Sequence, residues 1–345
     1  MKGGTKMKKW RLKALVLCLL LVGFAYFNSP SFGQVKPIEL NFSSHMPAAH
    51  SYSLMEKEWT KEIEKRTNGR VKITYIPGGT LLPADKCYDG VVKGIADVGN
   101  PPPSNTRGRF PLAEILELPL GYRIAMEGTI LMNDWYRKFK PKEYAEVQVM
   151  YFQSTGPVFA HSKKPINKFE DFKGMKMRST GLATIIAKAV GSAPVGMPVV
   201  EAYDALKKGV AEASMAPFEA LEGFRWGEVL KFSTIYNCAW VTGWPVVMNK
   251  SKWDLISPDD QKIIEQVSEE WIMKQGKNWT AIDESGKKFF TNLGGKIIYF
   301  SKDDNEKMEK AVAPLFDDYV KRMKELGLPG EEALNFCRDR LKQLQ

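Results

Sequence analysis

Apolar and polar residues alternate along Ile38–Ser43 (IELNFS) and again along Val71–Ile76 (VKITYI), the period of half-buried strands. Between them Leu54, Met55, Trp59 and Ile63 fall at helical spacing within Ser51–Thr67, and Asn68-Gly69 stops the helix. A helix near Ala84–Lys93 leads into a short strand at Ala96–Val98. The order β-α-β-α-β predicts a mostly parallel sheet with helices on its faces.

The pattern then returns. Tyr88–Gly99 (YDGVVKGIADVG) and Tyr203–Ser214 (YDALKKGVAEAS) share five of twelve residues, and each reads as a helix ending at a glycine, Gly94 or Gly209, before a strand. Glycine fits there because a helix often ends on a left-handed residue. A strand at Met175–Arg178 and a helix at Leu182–Val190 precede the second copy. Two βαβ units thus recur about 115 residues apart, which predicts two like-built α/β lobes, each a mostly parallel sheet flanked by helices.

The first lobe is expected over residues 34–154 plus about 246–300, and the second over 155–245 plus part of the C-terminal region. The boundary falls after a strand at Val147–Phe152, and Trp244–Asn249 (WPVVMN) is read as the strand that returns to lobe one. Ser257-Pro258-Asp259-Asp260 is a helix start, with Ser as N-cap and Pro in the first turn. That helix is expected to run to about Lys274 or beyond. A strand at Lys296–Phe300, a helix from Asp303 to about Leu326 and a helix at Glu331–Gln345 complete the chain. Residues 301–345 are expected to pack as helices on the lobes. No low-complexity linker separates the halves, which favours a hinge.

Charge changes the picture little. The 345 residues hold 50 Lys and Arg against 40 Asp and Glu, but six of the basic groups lie in residues 1–33, which have no acid. Removing them leaves 44 against 40, a net +4 over 312 residues, and no basic stripe with interleaved aromatics. Nucleic-acid binding is not indicated. Residues 8–13 (KKWRLK), the apolar run Ala14–Phe27 and Ser31-Phe32-Gly33 have the layout of a secretory signal peptide cleaved before Gln34. The alternative is an uncleaved anchor. The mature chain is expected to be periplasmic. It keeps Cys87, Cys238 and Cys337, wide apart and odd in number, read as buried free thiols, with one disulfide as the alternative.

Catalytic signatures are absent: no G-x-S-x-G elbow, P-loop, HExxH or Rossmann fingerprint. His45 and His50 lie five apart in a loop-to-helix segment without a third ligand, and are read as loop and helix-start residues rather than a metal site. No cofactor is expected. The informative residue is Arg178, at the carboxyl end of a strand and just before Ser179-Thr180-Gly181 and a helix start. Open α/β sheets place ligands there, and a guanidinium can hold a carboxylate by two parallel hydrogen bonds. A surface ion pair is the alternative.

Thr67–Ile73 (TNGRVKI), Pro77–Leu82 (PGGTLL), Gly90–Asp97 (GVVKGIAD), Lys173–Arg178 (KGMKMR), Met197–Leu206 (MPVVEAYDAL) and Lys208–Val210 (KGV), together with the signal peptide, carry a resemblance. The chain resembles the solute-binding proteins of tripartite ATP-independent periplasmic (TRAP) transporters over essentially its whole mature length. The resemblance implies two α/β lobes of the periplasmic-binding-protein type, crossing hinge strands, a long helix spanning both lobes and closure around one organic acid. It also implies delivery to TRAP permease membrane subunits. Arg178 matches the family's carboxylate-binding arginine. Two departures stand out. Ala216 occupies the place where many members carry an amide or an acid, and Val158 lies near the place of a second family arginine. Both argue against a sialic-acid-like ligand and a metal-bridged acid.

Apolar and aromatic residues replace those groups. Phe218, Trp240 and Trp244 are candidate wall residues, with Phe224 and Trp226 expected in the core. Ser44, His45, Asn100 and Thr155 are candidate contacts from lobe one and the lobe boundary. The expected ligand has one carboxylate and a modest body, a 2-oxo acid or an aromatic acid. A binding protein for an ABC importer or sensor, and a periplasmic enzyme on the same plan, are the competing readings.

Overall fold

The computed structural model describes residues 36–106 and 108–345. The expected signal peptide and its cleavage point lie outside the described residues. Strand β1 (Ile38–Ser43), helix α1 (Ser51–Arg66), β2 (Val71–Ile76), α2 (Cys87–Val92) and β3 (Val98–Gly99) form the first βαβαβ unit. His50 caps α1 by accepting a hydrogen bond from the Tyr52 N–H, and Asn68 and Gly69, both at positive φ, turn the chain out of it.

Helix α3 (Ala125–Phe139) and β4 (Val147–Ser154) follow, and then the chain crosses into the second unit. That unit comprises β5 (Phe159–Ser162), β6 (Lys176–Ser179), α4 (Ala183–Ala189), β7 (Ala193–Gly196), α5 (Ala202–Lys208), β8 (Ala213–Ala216), the single-turn α6 (Glu219–Gly223) and β9 (Phe232–Ile235). Strand β10 (Gly243–Asn249) recrosses, followed by α7 (Lys250–Asp254), the 35-residue α8 (Pro258–Asn292), β11 (Lys296–Tyr299), α9 (Lys302–Val312), α10 (Pro314–Glu325) and α11 (Gly330–Leu344).

Two sheets result, in the orders β2-β1-β3-β10-β4 and β11-β9-β5-β8-β6-β7. The repeat in the sequence is a repeat in space. Strands β2-β1-β3 pair in parallel as β7-β6-β8 do, and each triplet is extended by one antiparallel strand that has just arrived from the other lobe, β10 or β5. Gly94 and Gly209 both adopt positive φ, the conformation expected of them.

Strands β4 and β9 leave their sheets side by side. Thr155 N donates to Thr242 O at 2.9 Å, Val158 N to Trp240 O at 2.7 Å, and Thr242 N to Thr155 Oγ1 at 3.1 Å. These bonds make a short two-stranded ladder where the chain passes between the sheets; it crosses again along α8 and at the α9–α10 junction. Helix α8 starts as expected, with Ser257 accepting from Asp260 N at 3.2 Å, Pro258 in the first turn and two acids facing the helix dipole. At about 1.5 Å per residue it spans roughly 50 Å. It packs on α1, α3 and β4 of one lobe and on α6 of the other.

Two expectations are corrected. Strand β11 pairs in parallel with β9 in the second sheet, so the chain has changed lobes along α8 and residues 296–299 do not belong to lobe one. The helix expected from Asp303 to Leu326 is two, because Pro314 lacks an N–H and its ring conflicts with the carbonyl one turn back. Helix α9 packs with Phe172, Met177 and Phe300 of lobe two, while Tyr319, Met323, Leu334, Cys337 and Leu341 of α10 and α11 enter the core around Leu112 and Trp135 of lobe one. Cys87, Cys238 and Cys337 are free and buried. Among the described residues no helix is long and apolar enough to cross a membrane.

Candidate functional site

A cavity of about 820 Å³ lies between the sheets beside the hinge ladder. Six sequence candidates line it: His45, Thr155, Arg178, Ala216, Trp240 and Trp244. Phe218, Ser44 and Asn100 do not. Phe218 is turned into the lobe-two core against Phe159 and His161. Ser44 and Asn100 are fully buried, because Asn100 spends its amide on Ser44 Oγ (2.9 Å) and Tyr52 Oη (2.6 Å). Phe224 and Trp226, expected in the core, reach the cleft, although Trp226 packs in the lobe-two core as well.

Arg178 sits in β6 with Ser179 after it, and only 5% of its surface is exposed. Its Nε and Nη2 donate to Met197 O at 3.2 and 2.9 Å, and the guanidinium lies 5.4 Å from the centre of the Trp226 ring. No described carboxylate pairs with it. A guanidinium has five N–H groups, so its outer edge is left for a ligand. Burial lowers its pKa to about 10, which leaves it cationic at neutral pH. A buried cation without an anion is costly, and an incoming carboxylate removes that cost.

The wall opposite is aromatic. Trp244 of β10 and Trp279 of α8 meet at 5.7 Å and 87°, and the His45 ring stands edge-on to Trp244 at 5.9 Å. Burial pushes His45 down to about 4, so it lines the cleft as a neutral group. Thr155 lines the cleft too, but its hydroxyl is engaged in the hinge, donating to Gly156 O at 2.8 Å. At the mouth Ser104 of lobe one lies directly against Gly181 of lobe two, with no room between them for a Cβ.

Among the lining groups that escaped the sequence reading are Glu117, Glu219 and Trp279. Glu117 accepts Gly243 N–H at 3.1 Å, and burial raises it to about 8. Glu219 lies 2.6 Å from His50 Nε2. His50 Nδ1 accepts from Tyr52 N, so the ring proton is on Nε2 and donates to Glu219 across the lobes. Asp283 of α8 accepts Glu219 N–H at 3.0 Å and is raised to about 7 by burial. Helix and loop positions far apart in sequence bring these groups together, and nothing in their local sequence marks them.

Glu56 and Glu143 are likewise raised to about 7 by burial. With Glu117 and Asp283 they keep their protons in the folded chain where the unfolded chain has lost them. The folded state therefore binds more protons between roughly pH 4.5 and 8, and stability falls as pH rises through that window. Asp260, held down by Arg70, works in the opposite sense at the acid end, and His45 and His161, both pushed down to about 4 by burial, do so between about pH 4 and 6.5, but these two are outnumbered by the four carboxyls. A thermal melt is expected to peak near about pH 5 and to sit several degrees lower at pH 8; a midpoint that climbs steadily from pH 5 to 8 would contradict this.

Comparison with known proteins places these features. The model of the bacterial extracellular solute-binding proteins, family 7 (DctP), matches residues 42–322. A TRAP periplasmic solute-binding protein from Bordetella bronchiseptica, solved with (R)- and (S)-mandelate, is similar at 27% identity and a TM-score of 0.83, over 90% of this chain and all of that one (100%). One from Rhodoferax ferrireducens, solved with copurified benzoate, is 25% identical with a TM-score of 0.81, over 89% of this chain and 98% of that one. The 2,3-diketo-L-gulonate-binding periplasmic protein YiaO of Escherichia coli is 25% identical over 75% of this chain and 80% of its own length.

Proposed function

The chain belongs to family 7 of the bacterial extracellular solute-binding proteins, those of TRAP transporters, and from that premise we propose that it captures a small aromatic carboxylate between its lobes and hands it to a TRAP permease. The observation that carries this reading is Arg178, a buried guanidinium with a free outer edge, no acidic partner and an open cleft before it. A carboxylate supplies the missing charge through two parallel hydrogen bonds. Trp244, Trp279, Phe224 and Trp240 supply the flat apolar surface of a small-molecule site.

The hinge ladder, α8 and the α9–α10 junction are the connections about which the lobes close. Closure excludes water and strengthens the arginine–carboxylate contact. The protein binds and releases its ligand without chemistry, and the closed form is what the permease recognises. Similar proteins bind mandelate and benzoate, both of which carry one carboxylate and one ring. Export follows from residues 1–33, with cleavage before Gln34; the intact mass of protein recovered from the periplasm tests that point.

The function is tested by titrating the purified protein with benzoate, mandelate, pyruvate and a sugar acid in a calorimeter, after denaturing a sample and identifying any carried ligand by mass spectrometry. Micromolar or tighter binding of a ring-bearing acid is expected, with the sugar acid weakest. Failure of every carboxylate to bind, or turnover of the bound acid, would sink the proposal.

A further inference from the structure

Both tryptophans of the aromatic wall turn their N–H groups away from the cleft. Trp244 Nε1 donates to Tyr52 Oη at 3.0 Å, and Trp279 Nε1 to Gln153 Oε1 at 3.3 Å. Gln153 Nε2 in turn reaches Tyr52 Oη at 2.9 Å and Glu56 Oε1 at 3.1 Å. Glu56 Oε1 also accepts from Tyr151 Oη at 3.0 Å and Gln275 Nε2 at 3.2 Å. Glu56, Gln153 and Gln275 are fully buried, and no cation pairs with Glu56 among the described residues. One carboxyl oxygen thus gathers side chains from β4 and α8. Its other oxygen has no partner.

We propose that Glu56 is the positioning residue of the ligand site: acting through Tyr52 and Gln153, it locks Trp244 and Trp279 at right angles and so selects a flat aromatic ring. The physical reason is the cost of an unmade bond. An indole N–H buried without an acceptor is unfavourable by the full desolvation of that group, so each ring is held to the one orientation in which its acceptor is reached. With both N–H groups consumed inside the protein, Trp244 and Trp279 offer the ligand apolar ring surface and no indole donor. An aromatic body gains edge-to-face contacts there, whereas a polyhydroxylated body would lose hydrogen bonds to water without replacement. Glu56 itself lies behind the wall and meets no ligand.

The proposal has a readout that needs no ligand. The orthogonal tryptophan pair should give a near-ultraviolet circular dichroism signature, identified as the difference between the wild-type protein and Trp244→Phe. Glu56→Leu, which removes the acceptor at similar size, and Tyr52→Phe should both lose that signature. Glu56→Gln should keep it, because the amide oxygen can take the place of the one carboxyl oxygen that is used. Should Glu56→Leu fail to fold, Glu56→Met takes its place, while Tyr52→Phe, which lacks a single oxygen atom, tests the link from the network to Trp244. A signature retained in a folded Glu56→Leu or in Tyr52→Phe overturns the proposal.

The binding arm rests on the carboxylate reading of the cleft. Benzoate affinity should fall about tenfold in Glu56→Leu and Tyr52→Phe, the loss of one aromatic contact, while pyruvate, which has no ring, changes less than about twofold. Equal losses for the two acids would mean general damage and would overturn the positioning role. Binding of neither acid by the wild-type protein would defeat the carboxylate reading, and the dichroism result would still decide the role of Glu56.

Discussion

Arg178→Ala is expected to separate binding from folding. In the folded chain without ligand the guanidinium is buried, lies over Trp226 and, among the described residues, is satisfied only by Met197 O, with no anion beside it. Removing such a group relieves an uncompensated buried charge, so the melting temperature of the ligand-free variant should be equal to that of the parent or higher. The complex behaves differently. There the cation faces a carboxylate in a site from which closure has expelled water, and truncating one partner of a buried charged hydrogen-bonded pair costs about 2–5 kcal/mol. Affinity for the ligand should fall by roughly 30- to several-thousand-fold. Arg178→Lys keeps the charge but loses the fork that grips both Met197 O and the ligand, and should recover little. Calorimetry and thermal melts on the same samples check both halves. Unchanged affinity would remove Arg178 from the site; a large drop in ligand-free stability would make its role structural.

The residues that were legible in the sequence share a property: their meaning is local. The alternation in β1 and β2, the glycines ending α2 and α5, and the Ser-Pro-Asp-Asp start of α8 each declare themselves within a few residues. The repeat extended this, since like units fold alike, and the β2-β1-β3 and β7-β6-β8 orders agree. Arg178 was legible for the same reason, as a cation at a strand end before a helix. Strands β5 (FAHS) and β9 (FSTI) were not, because four residues with buried polar groups carry no clear period. Their place is set by partners: His161 of β5 bonds Ser233 Oγ of β9 at 2.7 Å and the Ala216 carbonyl of β8 at 2.9 Å.

The candidate site divides along the same line. Ser44 and Asn100 directly follow the ends of β1 and β3, but that position does not say whether a side chain faces the ligand or the network behind it. Tyr52, on the first turn of α1, decides that by drawing Asn100 inward. Phe218, expected in the wall, turns into the core, while Trp226 packs in the core as expected and reaches the cleft as well; α6 is a single turn, too short for the apolar face around it to be read from spacing. Trp279 sits midway along a 35-residue helix, where an apolar position marks burial but not which lobe or cavity it meets.

Gly286→Ala is expected to be the most damaging small substitution in the scaffold, and its effect reaches the site. Helix α8 crosses from one lobe to the other, and at Gly286 it passes over the entry to α6 so closely that a Cβ would stand 2.7 Å from the Phe218 carbonyl carbon and 2.9 Å from Glu219 Cα. Both obstacles are backbone, so no rotamer change relieves the overlap. Alanine favours a helix over glycine by up to about 1 kcal/mol, and overpacking of this kind costs roughly 1–3 kcal/mol or more. The steric effect wins because the helix and α6 must part along their whole contact. Parting them also weakens the bond from Glu219 N–H to Asp283, and with it the hold on the Glu219 carboxylate that meets His50 of the other lobe. The variant should therefore melt several degrees lower and bind more weakly, and the loss should be shared by all ligands, unlike that of Arg178→Ala. Gly209, at the end of α5, has nothing within 4 Å of an added Cβ; substitution there costs only the strain of its positive φ and serves as the control. If Gly286→Ala melts at or above the parent temperature, α8 and α6 are not packed as closely as described, and the coupling of the long helix to the site fails with it.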